Sequence, residues 1–198
     1  MKEKKHLSDK QKQMIEDAVR NILIAIGDDP ERSGIKETPH RVAKMYDEVF
    51  EGMRYTNEEI ATMFDKCFDE PEAKDLVLVK DIDAFSYCEH HLALMYNMKI
   101  SVAYIPDGKV IGLSKIARIV DMVSKRLQLQ ERIATDIADI MEMILNTHNV
   151  MVVIEGEHSC MTARGIKKPN TVTNSAVVRG LFKESSTLRA EVYSLLNK

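Results

Sequence analysis

Only three cysteines occur in this chain of 198 residues. A small, odd number of thiols excludes a disulfide framework and suits a reducing compartment, where thiolates can bind metal. No stretch approaches the ~18 consecutive apolar residues of a membrane-spanning helix. The first residues, Met1-Lys2-Glu3-Lys4-Lys5-His6, are charged and lead into an amphipathic pattern, not the apolar stretch of a secretory signal. These features predict a cytoplasmic protein. A large charge of one sign is also missing: 28 Lys and Arg face 31 Asp and Glu, for a formal net charge of -3. That balance argues against a nucleic-acid binder held by bulk positive charge, yet leaves room for a basic pocket that takes one phosphorylated small molecule. Internal repeats and low-complexity segments are absent. With 44% hydrophobic and 30% charged residues, the composition is that of an ordinary globular protein.

What the chain does contain is a change of period along its length. Ser8-Asp9-Lys10-Gln11 forms a capping-box pattern, followed by Ile15, Ala18, Val19, Ile22, Leu23 and Ile26 at helical spacing, with Gly27 as a stop. Thr38-Pro39 predicts a second helix start, with Val42, Ala43, Met45, Tyr46, Val49 and Phe50 as its buried stripe and Gly52 as its end. A short helix is expected over 57–64. From Leu76 onward the pattern becomes that of strands, at 76–79 and 98–105. Pro106-Asp107-Gly108 is turn chemistry, so 109–113 reads as the hairpin partner of the preceding strand. Helices over 114–127 and 130–146, strands over 150–155 and 171–179, and a helix over 183–196 complete the chain. The prediction is an N-terminal helical segment (1–70) and a catalytic domain (71–198) of α+β class, with ββααββ order, a largely antiparallel sheet and helices on one face. Such a sheet leaves its edges and second face open, which predicts oligomerisation.

Two stretches concentrate metal-binding chemistry. Cys88-Glu89-His90-His91 follows one predicted strand and His158-Ser159-Cys160 follows another. Thiolate and imidazole are the ligands that Zn²⁺ prefers, and Cys88 and His91 are close enough for one tight turn to aim both at a single ion. Cys160 could add a third ligand, which leaves the fourth position for a water that ionises near neutral pH. A closed structural site of Cys88, His91, His158 and Cys160 is the competing arrangement. Cys67, on the helical segment, reads as an inert buried thiol, and His6 and His148 as bystanders.

The chain resembles the GTP cyclohydrolase I family. The resemblance is carried by Thr38-Pro39-His40-Arg41-Val42-Ala43-Lys44-Met45, Ser86-Tyr87-Cys88-Glu89-His90-His91, Val110-Ile111-Gly112-Leu113-Ser114-Lys115, Gln128-Leu129-Gln130-Glu131-Arg132 and Glu157-His158-Ser159-Cys160-Met161-Thr162-Ala163-Arg164-Gly165. It implies that Cys88, His91 and Cys160 bind Zn²⁺, while His90 and His158 move protons. The reaction implied is hydration of GTP at guanine C8, ring opening, loss of formate, ribose rearrangement and closure to a dihydropterin triphosphate. Glu131 would accept from guanine N1–H and N2–H₂ together, a pattern adenine cannot offer. Without the resemblance Glu131 is a solvated carboxylate at a helix start. Gln130 is a further candidate for guanine recognition. Arg41, Lys44, Lys115, Arg118 and Arg164 match phosphate-handling positions, and Ser114 could add a hydroxyl. The fold implied is the tunnelling fold, assembled as a decamer of two pentamers with active sites at subunit boundaries.

The chain departs from the family pattern at Leu94-Met95, where many relatives carry Pro-Phe, and at Asn97, where glycine is common. Other readings are a relative acting on another purine or pterin, one using Fe²⁺ or Mn²⁺, and a non-catalytic nucleotide- or pterin-binding oligomer with a structural zinc. Retention of both His90 and His158 favours an enzyme, because a structural site needs no spare histidines.

Overall fold

The computed structural model describes residues 4–198. The N-terminal part is a helical hairpin of α1 (Asp9–Ala25) and α2 (Thr38–Val49). At the start of α1, Ser8 and Gln11 satisfy each other's backbone N–H in a reciprocal capping box, as their spacing predicts. The start of α2 differs from expectation. Thr38 is its first helical residue, not its cap, because the preceding turn already engages the Thr38 N–H with Ile35 O at 2.8 Å. Leu23 and Ala43 are buried between the two helices, but Ile22 and Ile26 of the expected stripe are 58% and 72% exposed. A single partner helix covers only part of so wide an apolar face.

Gly52 does not end α2. It lies in a 3-10 turn, Glu51–Arg54, seated on the end of α4 (Leu113–Ser124). A Cβ on Gly52 would lie 2.0 Å from Met122 O, so the glycine is demanded by close approach. Arg126 fixes the same junction. Its guanidinium donates to Gly52 O at 3.1 Å, Tyr55 O at 2.9 Å, Asn57 Oδ1 at 2.8 Å and Asp136 Oδ2 at 2.9 Å. Asn57 opens α3 (Asn57–Phe64), and Asp136 belongs to α5 (Gln130–Leu145).

Two short strands, β1 (Cys67–Asp69) and β4 (Lys109–Ile111), pair antiparallel with each other. This corrects two expectations. Cys67 is on a strand and only partly buried, and 109–111 pairs with β1 instead of closing a hairpin on its predecessor. The main sheet has the order β5-β2-β3-β6-β7, formed by β2 (Val77–Cys88), β3 (Ala93–Tyr104), β5 (Leu127–Gln128), β6 (Val150–His158) and β7 (Val172–Val178). All neighbours are antiparallel except β5, which runs parallel to β2. The class is α+β, as the alternation of periods predicts.

One face of the sheet is closed by α4 and α5. Ile100, Val102, Val152 and Ile154 meet Ile116, Ile119, Ile133 and Ile137, all fully buried. Each such side chain stabilises the fold by about 1.5–3 kcal/mol relative to exposure. The opposite face is not bare. The expected C-terminal helix is broken at Ser185 into α7 (Leu181–Glu184) and α8 (Ser186–Leu196), because the Ser185 hydroxyl caps α8 at Leu188 N. Phe182 and Val192 of these helices bury Ala103 and Met151, which point away from α4 and α5.

The Gly52 junction carries a prediction. Gly52→Ala should lower stability by roughly 3 kcal/mol, since the clash is with backbone. An unchanged urea midpoint would show that the 51–54 turn is not seated on α4.

Candidate metal centre and active site

The centre is built where three strand ends meet. Cys88 is the last residue of β2 and pairs with Ala93 across a reversal spanning 89–92, in which Leu92 adopts φ +51°. That reversal places His91 on the same side as Cys88. The third residue comes from the helical turn α6 (Ser159–Thr162) after β6. Ser159 Oγ donates to Leu94 O at 2.7 Å, and Tyr96 Oη lies 3.0 Å from Thr162 Oγ1, so α6 is pinned to β3 at both ends. The result is one ligand atom each from Cys88, His91 and Cys160, all within 4.8 Å of one another. Ligands of a tetrahedral zinc lie roughly 3.5–4 Å apart, so a small contraction closes the set.

Burial pushes the Cys160 thiol above its usual range, and the adjacent Cys88 thiol adds to the effect; Arg164 opposes it in part. Two thiols and an imidazole with this geometry fit a borderline-soft divalent cation, whose charge favours the thiolates. Cys88 is buried while His91 is exposed, so the group opens to one side.

The remaining polar groups divide by environment. His90 Nδ1 is 3.6 Å from Cys88 Sγ, and Arg164 Nη1 donates to His91 Nε2 at 2.9 Å. His158 is half-buried at the end of β6, and burial lowers its pKa; the Glu131 carboxylate opposes this. Its Nε2 lies 2.8 Å from Gln130 Oε1. Glu131 itself is exposed at the start of α5. Gln130 is placed otherwise than expected. It is 2% exposed, and its amide is held by the fold, with Nε2 donating towards Ile154 O, Thr173 O and Ser175 Oγ. Its side chain is therefore not free to recognise guanine.

Of the phosphate candidates, Arg164 touches the metal group through His91; among the described residues no side-chain hydrogen bond or ion pair ties the others to it. Lys115 and Arg118 line a cavity of about 500 Å³ with Tyr55, Met63, Phe64 and Lys125. Ser114 is exposed in the first turn of α4, and Arg41 and Lys44 are exposed on α2. Among the described residues, the side chains of Arg41, Lys44, Lys115 and Arg118 form no hydrogen bond or ion pair.

Several supporting residues escape a reading by motif. Glu89 accepts from Arg132 at 2.6 Å, and its N–H donates to Gln128 O at 3.3 Å, which braces the metal loop against β5. Gly156 leaves room beneath β6; a Cβ there would lie 3.2 Å from Gln130 Oε1 and 3.0 Å from Met98 Cγ. A glycine inside a strand pattern was the available signal for that close approach. The departures from the family pattern are also accommodated. Met95 is buried at 1% exposure, and Asn97 takes φ +50° at an irregularity in β3, where its amide donates to Glu157 Oε1 at 2.8 Å. Asparagine tolerates that conformation better than other non-glycine residues.

A crystal structure of the archaeosine synthase QueF-Like in the apo form aligns with 55% of this chain and 94% of its own, at 18% identity and a TM-score of 0.42. The GTP cyclohydrolase 1 of Clostridium acetobutylicum is 58% identical over 185 residues, covering 91% of this chain and 95% of that protein. That of Clostridium botulinum is 57% identical over 190 residues, covering 93% and 96%. That of Ruminiclostridium cellulolyticum is 58% identical over 179 residues, covering 88% and 92%. The family model described as GTP cyclohydrolase I matches residues 15–197, and the chain belongs to the GTP cyclohydrolase I family.

Proposed function

We propose that this chain opens the imidazole ring of GTP hydrolytically, releases C8 as formate and forms 7,8-dihydroneopterin triphosphate, a step of pterin and folate synthesis. The observation that carries the reading is the convergence of Cys88, His91 and Cys160 beside two histidines that the metal does not need. Zinc held by those three residues would supply a water acidified towards neutral pH for attack at C8. His158, kept neutral by burial, and His90, beside Cys88, can each give a proton to a purine nitrogen and take it back in later steps. The exposed Glu131 selects guanine by accepting from N1–H and the 2-amino group.

Arg164, in contact with His91, is read as a partner of the substrate's phosphates. Arg41, Lys44, Lys115 and Arg118, with the Ser114 hydroxyl, are read as the remaining triphosphate partners. Because Arg164 alone of these cations contacts the metal group among the described residues, the complete site is read as composite, joined across subunits. β7 has an open edge, β5 covers only Tyr87 and Cys88 of β2, and Ile22, Ile26, Phe85 and Leu113 are exposed. These surfaces suit a decamer of two pentamers, with residues 71–198 closing the sheets around a tunnel and 1–70 adding helical contacts. No described helix is long and apolar enough to cross a membrane, and we place the enzyme in the cytoplasm.

The direct test is incubation of zinc-loaded protein with GTP while following formate and, after oxidation, a fluorescent pterin. Both products should appear, vanish on chelation and return with zinc; neither product from a folded, metal-loaded oligomer would refute the assignment. Cys160→Ser should lose bound zinc by elemental analysis together with turnover. Glu131→Gln should keep its zinc but lose about 10- to 150-fold in kcat/KM, the worth of a charged hydrogen bond of about 1.5–3 kcal/mol. Mixing unfolded Cys160→Ser with unfolded Arg118→Ala and refolding them together should restore part of the activity that neither has alone. Failure of mixed oligomers to recover any would place Arg118 and Cys160 of one site in the same subunit.

A further inference from the structure

We propose that Gln130 is a positioning residue that fixes the His158 imidazole in the tautomer with its proton on Nε2, which leaves Nδ1 as the lone pair for proton transfer. The proposal rests on the reading of His158 as a proton-transfer residue, and it assigns Gln130 a part other than guanine recognition.

An amide placed in density of neighbours can be turned either way, so its orientation has to follow from its partners. Around one end of the Gln130 amide lie Ile154 O at 3.3 Å, Thr173 O at 3.0 Å and Ser175 Oγ at 3.1 Å. Two of these are backbone carbonyl oxygens, which only accept. The amide nitrogen must face them, because the reverse orientation would set oxygen against oxygen in a site that is 2% exposed. The oxygen Oε1 is thereby directed at His158 Nε2, 2.8 Å away. An amide oxygen accepts only, so the ring nitrogen facing it carries the hydrogen. A neutral imidazole has one N–H, and Nδ1 is left unprotonated.

The fold holds this amide firmly. Ile154 pairs with Ser175, and Gly156 with Thr173, so the amide's partners sit on two rungs of the β6–β7 ladder, one on either side of the Glu155–Asn174 pair. Gly156 leaves the space that Oε1 occupies, since a Cβ there would approach it to 3.2 Å. A side chain that only filled the core would need none of these polar partners. The arrangement matches the general logic in which a hydrogen bond to one ring nitrogen decides what the other can do.

The test is magic-angle-spinning NMR of zinc-loaded protein carrying ¹⁵N-histidine, with the His158→Gln spectrum used to identify the His158 signals. Wild-type protein should show His158 with a protonated Nε2 and a bare Nδ1. Gln130→Met should show mixed tautomers and lose ~10- to ~10³-fold in kcat, with KM for GTP within ~3-fold. A wild-type proton on Nδ1 would overturn the proposal, and that readout does not depend on how Gln130→Met folds. So would Gln130→Met with kcat unchanged, or with KM raised and kcat intact, the latter returning Gln130 to substrate recognition. Turnover retained by His158→Gln would instead refute the reading of His158, while the spectrum still decides the tautomer.

Discussion

The register of β3 between β2 and β6 is the constraint on which the centre depends. Cys88 pairs with Ala93 on one side of β3, and His158 pairs with Met95 on the other. Two residues along β3 thus separate the anchor points of both corners of the candidate metal centre. Strand side chains alternate, so a slip of one residue would turn Cys88 and His158 to the opposite faces and scatter the site. The irregularities near Asp81 and Asn97, both at positive φ, fall within the strands whose register matters most. They bend and twist the strands without losing the pairing at the ends. The alternating apolar residues of β3 and β6 hold the register, because Ile100, Val102, Val152 and Ile154 can be buried under α4 and α5 only one way.

On that frame, the charged and neutral groups are sorted by depth. Gln130 and Cys88 are buried and belong to the fold's own network, whereas Glu131, His90, His91 and Arg164 are exposed. Adjacent positions in sequence therefore serve different ends. At the start of α5 successive side chains point about 100° apart, so Gln130 enters the sheet while Glu131 turns to solvent. A rigid buried layer orients groups whose polar ends face a substrate, which lowers the reorganisation needed during reaction.

Much of this was legible in the sequence, for identifiable reasons. Capping chemistry and periodicity are local, so α1, α3 and α5 follow from a few residues each, and the grouping of Cys88, His91 and Cys160 follows from ligand chemistry. The pairing of β1 with β4 was not legible, because it joins three-residue strands some forty positions apart and neither carries a pattern of its own. The Ser185 break was hidden within an amphipathic run. The place of Gln130 was hidden for a different reason. Its neighbours Ile154, Thr173 and Ser175 are brought to it only by the β6–β7 ladder, and two of its contacts are to backbone, which no residue identity records.

The cations read as triphosphate partners extend the same argument beyond one chain. A guanidinium or ammonium on a monomer surface usually finds a carboxylate, and here Arg20, Arg126, Arg132 and Arg179 all do. Among the described residues, Arg41, Lys44, Lys115 and Arg118 do not, although the chain carries an excess of acidic residues. Leaving such cations unpaired forgoes little on an exposed surface, where an ion pair contributes about 0–1 kcal/mol. If they are triphosphate partners, it would preserve their charge for a polyanion that brings several negative groups at once. Their nearness in the fold to exposed apolar residues, Leu113 beside Ser114 and Lys115 above all, gives the same surface a reason to associate. Burying those apolar groups against a neighbour would bring the cations into a drier setting, where each attraction to phosphate strengthens. Assembly and substrate binding would then draw on one surface, with the metal corner facing it from the adjoining subunit.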